Sequence, residues 1–420
     1  MMVFLSIYCI VDGYFVSNYA GKTQFAAINF IFPFIMMPTS IGFMIGTGGS
    51  ALVGKTLGEQ KKKKADELFT MFCVSAIVIG FILFFIGIIF VPSVASLMGA
   101  EGELLHYSII YGRVLCFGCV PQMLHFLFEP FLVTAEKPKL GLVSTVFAGI
   151  TNIVLDYLFI YVFKWGVAGA GAATVIGQSV GGFFPLLYFM SNRNNSTLHL
   201  CKFKMDFVSF FKACGNGISE LLSNISTSLS GILFNVQLMR YFGEDGVSAY
   251  GIVLYLNFVF TASFIGYSIG TAPIVSYHYG AKNHDELHSI LKKSLIIITI
   301  ASVIMFGVSF LFADPISRIF VGYDVDLLAL TVKELDIYSI TYLFIGYCIY
   351  FSDFFTALND GITSAIISTL RLLVFEIGFV FLLPYLFGGD AIFLSTAVAC
   401  FLADIVSFIF VIAYKKKYGY

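Results

Sequence analysis

The sequence predicts an all-α integral membrane protein of about twelve transmembrane helices, in two six-helix bundles related by a pseudo-two-fold axis along the membrane normal. Composition, the spacing of apolar runs and an internal repeat predict it. The 420 residues are 59% hydrophobic and 12% charged, with mean hydropathy +0.92, whereas a soluble domain carries roughly a quarter charged residues. Apolar runs of about twenty residues recur along the whole length, each long enough to cross a hydrocarbon core of roughly 30 Å as a helix. Backbone groups in lipid must be satisfied within the segment, which favours helices, and the alternating strands of a membrane barrel are missing.

Breaks at charged and Gly/Pro/Asn clusters place the spans in order. The first, 1–20, opens in apolar sequence at Met1; a full first helix starts upstream, so this span is expected to be truncated. Then come 27–55, 66–98, 105–134, 139–163 and 167–190. The stretch 191–212, with Asn192, Arg193, Asn194, Asn195, Lys202 and Lys204, is the longest polar connection and the natural linker between halves. The remaining spans are 213–241, 247–279, 289–321, 328–358, 361–387 and 390–414, followed by a short tail, 415–420. The expected organisation is an N-terminal lobe over 1–190, a cytoplasmic linker, and a C-terminal lobe over 213–414.

Sliding the chain on itself by 222 positions matches Tyr19 with Tyr241, Gly21 with Gly243, Ala27 with Ala249, Gly48 with Gly270, Gly58 with Gly280, Thr134 with Thr356 and Ala135 with Ala357. Six spans per repeat is even, so both halves insert the same way up. Such an architecture suits a transporter whose substrate lies between two lobes that open alternately to each side.

Lys and Arg set the orientation. Lys55, Lys61 to Lys64, Lys137, Lys139, Arg193, Lys202, Lys204, Lys212, Lys282, Lys292, Lys293 and Lys415 to Lys417 fall on one side; Lys22, Lys164, Arg240, Arg318 and Lys333 fall on the other. Seventeen against five puts both termini in the cytoplasm, in the inner cell membrane. Net charge of −1 implies no nucleic-acid partner. No cleavable signal peptide is visible. The eight cysteines are scattered, mostly in apolar runs, as small hydrophobes. Cys116 and Cys119 have metal or redox spacing, but they lie inside a span with no second pair.

An ionisable residue deep in a bilayer is costly and is a functional candidate when it faces the interior. Asp12 has Tyr8 one turn earlier. Asn152 and Asp156 are four apart and share one helix face. Thr174 follows Gly166, Gly169 and Gly171, small residues that permit close helix approach. These five form an oxygen-rich set suited to a hard monovalent cation, and equally to a proton, since crowded carboxylates away from water readily keep one. On the residues alone, Asn152 and Asp156 serve as well to tie helices together, and Asp12 to cap a short span. Glu129, before Pro130, and Glu220, in N-G-I-S-E-L-L-S-N, read first as interfacial or packing groups. Asp353, among Tyr350, Phe351, Phe354 and Phe355, is a candidate for a role in the second lobe, with Glu220 a weaker one beside it. Glu376 and Asp404 have no assigned role.

The 48 Phe and 23 Tyr make the chain unusually aromatic. Most must be core or lipid-facing; a minority lining a cavity suits flat lipophilic cations through cation–π attraction, with Met36, Met37 and Met44 as adaptable surface. G-T-G-G at 46–49 with Lys55 lacks the phosphate-loop pattern and a preceding strand. ATP is therefore not expected to power the protein.

The pieces I-V-D-G-Y-F-V-S, A-I-N-F-I-F-P, G-T-G-G-S-A-L-V-G-K-T-L-G-E and, more weakly, G-T-A-P-I-V-S-Y-H-Y-G-A-K are similar, in order and spacing, to the MATE family of multidrug and toxic compound extrusion transporters, bacterial type. The resemblance covers essentially the whole chain. It implies a cation site in the first lobe, with Asp12, Tyr8, Asn152, Asp156 and Thr174 fitting its pattern position by position. It further implies antiport, in which Na⁺ or H⁺ enters at this site and repacks the first helix while a drug or other organic cation leaves. No cofactor beyond that ion is expected, and a monomer in contact with membrane lipid is. In relatives the first helix carries a bending proline upstream of where this chain begins. An alternative within the same superfamily is a flippase for a lipid-linked or polysaccharide precursor. Its strongly cationic cavity is poorly matched by Arg113 and Arg371, the only basic residues assigned within spans. A membrane-embedded enzyme would want a clustered His, Ser or metal-ligand set, and the six His lie mostly near loops.

Overall fold

The computed structural model describes the chain except residues 17, 18, 20, 21, 192, 193, 322 and 323; at 7–10, 14, 22, 29, 32–35 and 244 it describes the backbone only. Among the described residues the regular structure is entirely helical. Two compact units divide the chain, Met1–Gly217 and Ile218–Tyr420.

The first unit holds α1 (Met2–Phe15), α2 (Lys22–Gly58), α3 (Lys62–Leu97), α4 (Gly102–Cys116), α5 (Cys119–Thr134), α6 (Pro138–Asp156), α7 (Gly166–Met190) and α8 (Phe207–Asn216). A π-helical turn, Tyr157–Val162, extends α6. The second holds α9 (Ile218–Gly280), α10 (His284–Leu311), α11 (Ala313–Val321), α12 (Val325–Ser339), α13 (Ile345–Ala357), α14 (Gly361–Thr369), α15 (Ile377–Phe387) and α16 (Ser395–Tyr418). A second π-helical turn, Leu370–Glu376, joins α14 to α15.

Eight described helical segments are long and apolar enough to cross a membrane, and the bent pair α4 and α5 makes a ninth. With α1, α2 and the arm of α9 over 218–242 these give the expected twelve. Lipid-facing character is plainest on α3, where Phe81, Ile82, Phe85, Ile86, Ile89 and Phe90 are exposed apolar side chains. Outside a membrane such a patch would be a severe aggregation liability.

Several boundaries differ from expectation for local reasons. The fourth span is broken by a 60° bend between Cys116 and Cys119, where Gly118 packs against Val175. The seventh begins at Ile218 rather than 213, because Asp206 caps a separate short helix, accepting hydrogen bonds from the Ser209 amide at 3.0 Å and hydroxyl at 2.6 Å. The side chain of an Asp at this position satisfies an amide that no helical carbonyl reaches. The end of the linker is therefore helical, and α8 turns Phe207, Val208 and Phe211 outward. The expected tail is also helix as far as Tyr418, and Tyr418 and Tyr420 are buried against the second unit. Asn283, Asp324 and Asp360 cap α10, α12 and α14 in the same way as Asp206.

The repeat extends to backbone conformation. The turns after α2 and α9 both carry a non-glycine residue with positive φ, Gln60 at 61° and Lys282 at 55°, 222 positions apart. Thr134 and Thr356 both bond the carbonyl four residues back, at 3.0 and 3.2 Å. Gly243 breaks α9 with φ 65°, ψ −148°, backbone open to glycine at little steric cost. Its counterpart Gly21 lies outside the described residues.

Candidate functional site

The N-terminal candidates collect where α1 and α7 both pack on α6. Spacing supplies the first part of this: Asn152 and Asp156, one turn apart, lie on the buried face of α6 and are 2% and 0% exposed. Glycine supplies the second. A Cβ at Gly177 would sit 3.0 Å from the Ala148 carbonyl oxygen and 3.0 Å from the Asn152 Cβ, so only glycine lets α7 approach this closely. Thr174, one turn before Gly177, shares that face of α7; it is half-buried and its hydroxyl bonds the Ala170 carbonyl at 3.0 Å.

From the other side α1 brings Asp12, whose carboxyl group meets that of Asp156 directly. Neither oxygen of Asp156, nor Oδ1 of Asp12, nor Oδ1 of Asn152 has a hydrogen-bond donor among the described residues. Four buried acceptor atoms thus converge with nothing among the described residues donating to them. Unpaired, such a set is expensive; around a cation or a shared proton it is complete. The π-helical turn begins immediately after Asp156, a distortion common at functional positions. The structure therefore brings Asp12, Asn152, Asp156 and Thr174 to one helix crossing. Tyr8 stands one turn before Asp12 on α1, and its side chain lies outside the described residues.

In the second unit Glu220 at the start of α9 and Asp353 on α13 also meet side chain to side chain, with Ser268 beside Asp353. Of the two expected readings of Glu220, interfacial or helix-packing, its place in a cluster with Asp353 fits the second. Arg371, in the second π-helical turn, is the opposite charge acting on Glu220, Asp353, Glu376 and Asp404. Around it Cys348 donates to Asp404 at 2.9 Å, and Thr396 donates to Glu376 at 3.3 Å. Sequence reasoning missed this role for Arg371; the available signal was an arginine inside an apolar run. Of the expected adaptable methionines, Met36 and Met44 are half-buried and Met37 is exposed.

The MatE family model matches residues 1–158 and 221–382. Multidrug export protein MepA of Staphylococcus haemolyticus is 25% identical over 398 residues, covering 94% of this chain and 86% of that protein. MepA of Staphylococcus saprophyticus is 24% identical over 349 residues, covering 81% and 76%. Among solved structures, an outward-facing multidrug resistance MATE family transporter of the MOP superfamily superimposes with a TM-score of 0.93 at 22% identity, covering 99% of this chain and 94% of that one. A MATE crystal structure in complex with MaL6 gives 0.93 at 22% identity, with 99% and 95% covered. The shared fold, the twelve spans and a family match to both halves lead to one conclusion: this chain is a multi-pass membrane transporter belonging to the MatE family.

Proposed function

We propose that this chain is a secondary-active multidrug exporter. It exchanges Na⁺ or H⁺ for lipophilic organic cations by alternating access, in the cytoplasmic membrane with both termini inside. The carrying observation is the pair Asp12 and Asp156, buried face to face with no donor among the described residues to three of their four oxygens. Two like charges held together away from water repel, so the packing of α1 on α6 depends on what lies between them. An ion or proton entering there draws α1 onto α6; its departure releases α1. That gives the ion a differential affinity for two arrangements of the lobe, which any coupling requires. Asn152, Thr174 and Tyr8 complete the shell in this reading. The relatives named multidrug export proteins support drugs as the cargo, and the aromatic abundance suits flat cations.

Asp156→Asn in a drug-hypersensitive host tests the assignment, with membrane expression matched to wild type. Resistance should fall to the host background; resistance at the wild-type level would show that Asp156 does not carry the coupling ion.

A further inference from the structure

Away from the Asp12 and Asp156 pair, the first unit contains another buried carboxyl group, which sequence reasoning took for an interfacial or packing group. Glu129 on α5 is 2% exposed, and neither of its oxygens has a hydrogen-bond partner among the described residues. His125, one turn earlier on the same face, is also 2% exposed. Its Nδ1 lies 2.6 Å from Oε1 of Gln178 on α7. An amide oxygen only accepts, so the ring proton sits on Nδ1 and Nε2 is a bare acceptor. Nε2 too has no partner among the described residues. Both side chains line one narrow recess, together with Met1, Ser144, Thr145 and Gly181.

The hydroxyls there are already used as donors: Ser144 bonds the Gly181 carbonyl at 3.1 Å and Thr145 the Gly141 carbonyl at 3.0 Å. Three buried acceptors therefore face this space with no donor among the described residues left to serve them. From the elements packed on α5, namely α2, α3, α6 and α7, no other titratable or charged group faces Glu129 among the described residues; the amino group of Met1 is the one charge whose field reaches it.

A carboxylate and an imidazole nitrogen one helical turn apart make a poor cage for Na⁺, which wants several oxygens, whereas each of them can take up a single proton. The placement fits transit. Thr145 and Asp156 lie on the same helix, about 16 Å apart along its axis, with Asn152 between them. Gln178, the partner of His125, is the neighbour in sequence of Gly177, which packs on Asn152. We infer that Glu129 and His125 form a second proton-binding site in the first unit, through which the coupling proton passes between Asp156 and the α5–α6 turn. The inference rests on the antiport reading and names H⁺ as the ion carried.

The test compares purified wild type, Glu129→Gln, Glu129→Asp and Asp156→Asn in vesicles, following efflux of a cationic dye under a pH gradient and, separately, a Na⁺ gradient. Glu129→Gln should lose pH-driven efflux by roughly tenfold or more while still binding the dye, and Glu129→Asp should restore part of it. Wild-type efflux and pH profile in Glu129→Gln, with Asp156→Asn inactive, overturn the second site alone; wild-type efflux in Asp156→Asn overturns the antiport reading beneath it. Efflux driven only by Na⁺ also overturns the inference. A measurement on the unmodified protein covers the case where Glu129→Gln does not fold. Dicyclohexylcarbodiimide, which modifies protonated carboxyls away from water, should label Glu129 at low pH and progressively less as pH rises, regardless of Na⁺. Protection by Na⁺ at constant pH, or no labelling at any pH, contradicts it.

Discussion

Asp156 has no exposed surface and no donor to either oxygen among the described residues, and it meets the carboxyl group of Asp12. Residues that act as one unit lose their function together. Efflux measured for Asp12→Asn, Asp156→Asn and the double variant should therefore show the double no worse than either single. Additive losses would mean two independent sites. Outside the spans, Asp360 makes a different prediction. It caps α14, with its carboxylate accepting from the Thr363 amide at 3.3 Å, from Lys417 at 3.4 Å and from the Tyr418 hydroxyl. Burial pushes its pKa up, but these three partners outweigh that and hold it below the usual carboxylate range. A depressed pKa stabilises the fold above the ordinary value, and the contribution is lost as pH falls through the lowered one. Asp360→Ala should cost about 1 kcal/mol as a lost cap. The gap in thermal midpoint between variant and wild type should be full near neutral pH and should shrink in acid; a gap independent of pH contradicts this. At this scale Asp12, Asn152, Asp156 and Thr174 were legible, because polar groups at helical spacing stand out in apolar sequence. Arg371 and Glu129 were not, since their roles depend on which distant helices surround them.

Helix α7 does most to build the first-unit site, through glycines that admit α6 on one side and α5 on the other. A Cβ at Gly181 would lie 2.7 Å from His125 Nδ1, much as one at Gly177 meets Asn152. Gly177→Leu should push α7 off α6 and destabilise the protein by about 1–3 kcal/mol as overpacking. It should also abolish efflux, with both losses read on the same detergent-purified sample. Unchanged stability and transport would show that the close crossing is not needed. Span order was readable from apolar runs, but breaks within spans were not. F-V-S-F-F-K-A-C at 207–214 reads as the apolar opening of the seventh span, and only the capping pair Asp206 and Ser209 marks it as a separate helix. Likewise Lys415 to Lys417 looked like a solvated tail, whereas Tyr418 and Tyr420 bury their rings and hold the end of α16 down.

The two units share a scaffold and differ in chemistry. Gln60 and Lys282 take the same backbone conformation in equivalent turns, yet the position equivalent to Asp12 is Phe234, fully buried and stacked on Tyr250 at 5.0 Å. The position equivalent to Asp156 is Gly378, where an added Cβ would meet open space. At other positions, the second unit gathers Glu220, Asp353, Glu376 and Asp404 around Arg371. The repeat was visible in sequence because turn glycines and helix ends resist substitution by other apolar letters; the arginine-centred cluster was invisible because it has no counterpart to align with. Coupled export is the claim that joins both units, and a single measurement tests it: efflux of a cationic dye from vesicles under separately imposed Na⁺ and pH gradients, for wild type and Asp156→Asn. The account expects wild-type efflux to follow an imposed ion gradient and to collapse in the variant. Efflux indifferent to both gradients would contradict it.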